Sequence, residues 1–169
     1  MLKLFYTGAF AVNQPNLTPL LTSLGGFVSS SPIPNGRKNS LFSDISKAMS
    51  EKGKEEIIGL CIKNDSLTET VSDIQLSILN PETLKGKFKI GFIAIGMDLQ
   101  MEKLASSADL PYYTELIDFD GLTTIEGNLL PGKYIGVWLQ RTIAPFEYLL
   151  PIEQQLEQIE ISLGWEVVP

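Results

Sequence analysis

Apolar and polar residues alternate with period two along much of the chain. In residues 57–63, Ile58, Leu60 and Ile62 fall on one face, and Asn64, Asp65 and Ser66 close the run as turn formers. In residues 71–79, Ile74, Leu76 and Ile78 alternate with Asp73, Gln75 and Ser77, which predicts a half-solvated strand with one core face. Residues 87–95 alternate at first and then turn apolar throughout, the pattern of a strand covered on both faces. Residues 133–141, after the Leu129-Leu130-Pro131-Gly132 turn, are rich in aromatic and β-branched residues. Residues 159–167 place apolar side chains at every odd position. Helical signals are few. Ser43 to Met49 offers a cap, with Gly53 as a stop, and Pro151 can open a turn of helix over 151–157.

Short strands divided by turns, a Trp inside a late strand and no long helix predict an all-β chain. Its expected architecture is an antiparallel two-sheet β-sandwich of the immunoglobulin-like class, with residues 1–169 as a single domain. The Cys…Trp…Cys signature of antibody domains is missing, so the likeness is one of architecture. Two segments read as arms or long loops. Residues 13–40 hold Pro15, Pro19, Gly25, Gly26, Pro32, Pro34 and Gly36, and residues 96–131 hold Leu110-Pro111-Tyr112-Tyr113 and Asp118-Phe119-Asp120-Gly121. Long irregular segments in a compact domain usually carry function. Residues 1–36 are therefore expected to form a docking arm, and 96–131 a long loop region.

Composition narrows the chemistry. The chain has no histidine, which removes His-based triads, a His general base and His-ligated metal sites. Its single cysteine, Cys61, excludes an intrachain disulfide and a thiolate zinc site. A net charge of −7 with only two arginines, Arg37 and Arg141, predicts no binding to nucleic acid and none to an anionic membrane surface. The apolar start, residues 1–12, is interrupted by Asn13, Gln14 and Asn16 too soon for a signal peptide, so folding in a cytosol is expected.

Candidate chemistry is sparse. Asp118-Phe119-Asp120-Gly121 begins like a calcium loop but lacks the third ligand and the bidentate Glu twelve positions on. A solvated hairpin turn is the expectation there, with no metal and no other cofactor. The same two carboxylates could serve as a glycosidase pair, but nothing in the pattern selects them among 20 acidic residues. Cys61, set among Ile and Leu, reads as a small buried hydrophobe without a base to activate it. Trp138 reads as core, and Tyr112-Tyr113 as an exposed contact.

Three segments carry a resemblance. They are Ser23-Leu24-Gly25-Gly26-Phe27-Val28-Ser29-Ser30 leading to Asn39-Ser40-Leu41-Phe42-Ser43-Asp44-Ile45, then the run from Glu55 to Asp65 containing Lys63-Asn64, and finally Pro131-Gly132 through Gly136-Val137-Trp138-Leu139-Gln140-Arg141. In this order they resemble small immunoglobulin-like virion structural proteins of tailed bacteriophages, similar to those of crAss-like phages. Gln140 stands where Lys is common, and Ser40 interrupts the run before Leu41-Phe42. The resemblance implies a non-enzymatic capsid auxiliary (decoration) protein, assembled in the bacterial host cytoplasm and located in the virion. Its implied partner is the major capsid protein or another virion protein, with a homo-oligomer on the lattice as a further arrangement. A tail or neck component and a carbohydrate-binding adsorption module are the alternatives. It brings no catalytic residues. The apolar side chains of the two irregular segments, Phe5, Tyr6, Phe10, Phe27, Tyr112 and Tyr113, are the expected partner contacts.

Overall fold

The strongest alternation builds the middle of the molecule. A computed structural model describes residues 1–11, 13–35, 40–78, 86–93, 100–146 and 161–168. Strand β3 (Lys54–Asn64) pairs antiparallel with β9 (Tyr134–Ile143) over ten residue pairs, from Lys54 opposite Ile143 to Lys63 opposite Tyr134. Around this pair stand β1 (Leu2–Ala9), β2 (Gly25–Pro32), β5 (Phe88–Phe92), β6 (Met101–Lys103) and β7 (Ile117–Asp118). Together they make a seven-stranded sheet in the order β6-β2-β1-β3-β9-β5-β7. A second sheet has the order β10-β4-β8, from β4 (Val71–Ile78), β8 (Leu122–Ile125) and β10 (Ile161–Val167). The helices are short: α1 (Pro19–Thr22) and α2 (Lys47–Lys52). The fold is an all-β antiparallel sandwich, as the alternation predicts.

The two sheets enclose the main core. Leu2, Tyr6, Ile58, Leu60, Ile62, Ile90, Ile135, Val137 and Leu139 of the large sheet meet Ile74, Leu76, Ile78 and Ile125 of the small one. Three strands cannot cover seven. The gap is closed by the segment before α2, whose Leu41 and Phe42 pack on the same cluster. Arg141 holds that segment. Its guanidinium donates to the Ser43 carbonyl at 3.0 Å, lies 4.7 Å from the Phe42 ring centroid and pairs with the buried Glu56 carboxylate. The Tyr6 hydroxyl adds a 2.5 Å hydrogen bond to the Ser40 carbonyl.

The other face of the large sheet is buried as well. Phe5, Val28, Ile57, Cys61, Met101, Tyr134 and Trp138 form a second cluster there with Leu104. The sheet curls, so that its edge strand β6 comes over β9: Met101 lies against Gly136 and its sulfur is 3.9 Å from Cys61 Sγ. Residues 104–116 then run across the remaining opening, tied by Leu104 N–H to the Leu24 carbonyl and by Ile57 N–H to the Ser107 carbonyl. Trp138, fully buried, fills the middle of the curl. Its ring fits because Gly25 and Gly59 lack side chains; a Cβ at either would lie under 3.0 Å from a Trp138 ring carbon, and Gly25 also has φ +82°. The indole N–H finds no acceptor among the described residues, so packing alone holds the ring.

The structure corrects the expected arm. Residues 1–36 contain β1, which lies between β2 and β3 inside the large sheet. Phe5 and Tyr6 are buried on opposite faces of β1, in the second and the main cluster respectively. Adjacent apolar residues that looked like a free arm are a strand covered on both sides. The region 96–131 likewise carries β6, β7 and β8. Asp118-Phe119-Asp120-Gly121 is a corner rather than a hairpin turn. The chain leaves β7 in the large sheet and enters β8 in the small one around the fully buried Phe119. The helix starts at Lys47 and not at Ser43, with Ser46 accepting from Met49 N–H at 3.2 Å as its cap. The helix expected over 151–157 and the outer ends of the strands expected over 87–95 and 159–167 lie outside the described residues.

Truncating Trp138 to Ala empties a fully enclosed site that backbone on three sides cannot collapse into. Trp138→Ala is expected to lower stability by about 3–5 kcal/mol, read as a large drop in the thermal midpoint. A midpoint within a degree or two of the parent would contradict this packing.

Candidate functional site

Side-chain hydrogen bonds tie the backbone of two irregular loops. The first loop joins β1 to β2. Asn16, 8% exposed, donates from Nδ2 to the Thr7 carbonyl at 2.5 Å and accepts at Oδ1 from Thr18 N–H and the Thr22 hydroxyl. Asn13 donates its N–H to the Val28 carbonyl, and its side chain accepts from the Tyr134 hydroxyl at 3.0 Å. From this tied frame Phe10, Leu17 and Leu21 project outward, 96%, 88% and 76% exposed. Phe27 is half-buried on β2 and lines a depression of about 150 Å³ with Phe10, Gln100 and Lys103.

The second loop follows β6. The Glu102 carboxylate accepts the backbone N–H groups of Tyr112 at 2.9 Å and Tyr113 at 3.3 Å, a charge-assisted clasp on consecutive amides. The clasp leaves both rings in solvent, more than four-fifths exposed, with centroids 4.9 Å apart and planes at 83°. Pro111 is buried beneath them and Leu110 is exposed beside them. Lys103 of β6 and Gln100 just before it line the same depression as Phe10 and Phe27, and Glu102 of β6 accepts the Tyr112 and Tyr113 amides. Other exposed apolar residues lie elsewhere, among them Leu67 and Phe146 on turns and Leu122 at the start of β8.

Of the six contacts expected from the sequence, three stand fully exposed: Phe10, Tyr112 and Tyr113. Phe27 is partly covered, and Phe5 and Tyr6 are core. Leu17 and Leu21 were missed. Their signal is visible in the sequence as leucines beside Pro15 and Pro19, in a stretch with no strand period to give them a buried face.

Asp118 and Asp120 are both exposed, and Asp120 accepts Gly86 N–H at 2.8 Å as a corner brace. Among the described residues no group of three or more His, Cys, Asp or Glu is placed to hold a metal ion. Among them also, no helix is long and apolar enough to cross a membrane. Burial pushes the Cys61 thiol up to about 12, so almost none is thiolate near neutrality. A thiol reagent at pH 8 is therefore expected to label Cys61 only as the chain unfolds. Rapid labelling of the folded protein would mean that the curl opens.

At the far end of β1 the charges are paired. Asp65 lies 2.5 Å from Lys3 Nζ and 3.3 Å from Lys63 Nζ, and Lys63 Nζ lies 5.7 Å from both the Phe5 and Tyr134 ring centroids. The hydrogen bond from Lys3, helped by that from Lys63, holds the Asp65 carboxyl below its usual 3.8. A depressed folded pKa stabilises above the unfolded value and loses that stabilisation as pH falls through the folded one. Asp65→Asn is expected to cost less than about 1 kcal/mol at pH 7, because the group is partly solvated. It should also flatten the stability profile below about pH 4, which urea titrations at several pH values would measure.

Searches against protein-family models, curated proteins and solved structures find no match to this chain. The class is accordingly the one defined by fold and surface: an all-β sandwich that carries braced loops with apolar tips.

Proposed function

We propose that the chain is a non-enzymatic bacteriophage virion structural protein, a capsid auxiliary (decoration) protein that docks on the assembled head. One observation carries the reading. Two loops whose backbone is tied by hydrogen bonds to the Asn16 and Glu102 side chains present Phe10, Leu17 and Leu21, and Tyr112 and Tyr113, to solvent. Apolar residues displayed on pre-shaped backbone suit an interface, since little order has to be imposed on binding. The resemblance in the segments around Leu24, Lys63 and Trp138 supplies the kind of partner, the major capsid protein or a neighbouring virion protein. On a lattice, many copies of a modest interface add up through repetition. The acidity of the chain keeps free copies apart in solution.

The carbohydrate-binding alternative is less well supported. Sugar rings stack on open aromatic faces, and Tyr112 and Tyr113 meet edge to face at 83° rather than forming one flat platform. A tail or neck position would use the same surface, and a reconstruction of the particle separates it from a head position.

The decisive experiment is mass spectrometry of purified particles, followed by incorporation assays with two variants. Phe10→Ser/Leu17→Ser/Leu21→Ser and Tyr112→Ser/Tyr113→Ser are each expected to keep the thermal midpoint within a few degrees, because the replaced side chains are solvent-exposed. At least one should reduce incorporation by about tenfold or more, the usual weight of a lost aromatic or leucine anchor. Absence of the protein from particles, or undiminished incorporation of both variants, would overturn the reading. Deleting residues 1–36 is expected to abolish folding, since β1 and β2 go with them.

A further inference from the structure

The small sheet ends in an open edge. In the order β10-β4-β8, β10 pairs with β4 on one side, and among the described residues nothing pairs with its other side. It is the longest of the edge strands, with seven residues against three in β6, two in β7 and four in β8. Edge strands are ordinarily blunted by lysine, proline or a bulge. In β10, Ile161-Ser162-Leu163-Gly164-Trp165-Glu166-Val167, there is no proline and no lysine, and the one charge is Glu166. The ladder does carry a bulge, but on the inner strand. Gly164 faces Gln75 and Glu166 faces Ser72, so the extra residue lies in β4, where Asp73 has φ +48°. The strand at the edge runs on without a break.

Backbone and side chains of this edge select the same occupant. The Val168 N–H bonds inward, to the Thr70 carbonyl. Peptide groups alternate sides along a strand, so those of Ile161, Leu163, Trp165 and Val167 point outward. Another extended strand supplies donors and acceptors at that spacing. The same four residues carry the apolar side chains. Ile161 and Leu163 pack partly on the main core, and Trp165 and Val167 are 37% and 51% exposed. Reversed about Gly164, the strand complements itself. Ile161 meets Val167 of a second copy, Leu163 meets Trp165 of that copy, and Ser162 meets its Glu166. Apolar residues then face apolar ones, no acid faces an acid, and outward peptide groups meet outward peptide groups. A two-fold pair of this kind closes on itself and uses up the edge.

We infer that β10 is a self-pairing edge: two copies of the chain join antiparallel through β10, about a two-fold axis at Gly164, and their small sheets become one continuous sheet. The net charge of −7 on each copy opposes the contact, so pairing strengthens as salt screens the repulsion. The inference goes beyond the docking reading and does not depend on it. It uses a strand edge apart from the loops that carry Phe10, Tyr112 and Tyr113.

The test uses the full chain. Sedimentation in about 0.5 M NaCl is expected to show a monomer–dimer equilibrium with a Kd on the order of 100 µM, weakened several-fold at about 0.02 M salt. A disulfide then reads the register. Gly164→Cys sets two thiols across the axis, and a Cβ there meets only Gln75 at 3.6 Å, an ordinary contact that the fold accommodates. Ser162→Cys sets its thiols roughly 14 Å apart by strand rise, beyond disulfide reach. Copper–phenanthroline oxidation is expected to cross-link Gly164→Cys at least about tenfold faster than Ser162→Cys, while the buried Cys61 stays out of the reaction. A chain that remains monomeric up to about 1 mM, ten times that Kd, would overturn the inference. So would growth past the dimer, which β10 pairing with another strand edge would produce, or equal cross-linking of the two variants. If a cysteine variant does not fold, the parent chain decides through hydrogen exchange. The Leu163 and Trp165 amides are expected to slow as concentration rises through the Kd, and unchanged exchange at both would overturn the inference as well.

Discussion

The ladder between β3 and β9 is apolar on both faces, and the rest of the structure answers that constraint. Ile58, Leu60 and Ile62 with Ile135, Val137 and Leu139 face one way, and Ile57 and Cys61 with Tyr134 and Trp138 face the other. A strand pair of this kind is stable only if both sides are taken out of water. The small sheet covers one side. The other is covered by the curl of the large sheet itself, which brings Met101 of β6 over Gly136, and by residues 104–116 closing the opening. The short edge strands β6 and β7 follow from the same need: each is only as long as its segment stays in register before crossing to cover something.

Covering a core with irregular backbone raises a second requirement, since buried peptide groups need partners. The partners here are a few side chains placed at the joints. Asn16 braces the β1–β2 loop, and Glu102 braces the loop after β6. Arg141, paired with Glu56, holds the cover over the gap left by the small sheet. At the end of β3, fully buried Asn64 donates to the Glu69 and Leu129 carbonyls and accepts Ser66 N–H, joining three chain segments at one amide. These bonds tie the loop backbone to the strands beside it. Phe10, Leu17, Leu21, Tyr112 and Tyr113 project from these loops into solvent.

Much of this was legible along the chain. The five alternating runs correspond to β3, β4, β5, β9 and β10, because a side-chain period of two survives without any knowledge of the partner strand. Trp138 as core and Cys61 as an inert buried thiol could be read from neighbours one and two residues away. Tyr112 and Tyr113 stood out because no period gave them a buried face. Phe5 and Tyr6 misled for a physical reason. A strand buried on both faces loses its alternation, so a largely apolar stretch such as Leu2–Ala9 reads equally as a strand or as an arm.

The sequence by itself determined that β3, β4, β5, β9 and β10 are strands, that no histidine or disulfide chemistry is available, and which segments carry apolar residues without a periodic home. Each of these depends on residue type and on spacings of one to a few positions. Tertiary structure alone decided which faces are covered. It turned the N-terminal run into an inner strand and made Asp118-Phe119-Asp120-Gly121 a corner between sheets around Phe119. Those outcomes depend on contacts such as the Thr7 hydroxyl with the Gly59 carbonyl, between residues far apart in the chain. Burial is a property of what lies opposite, and only the folded arrangement of the sheets specifies that.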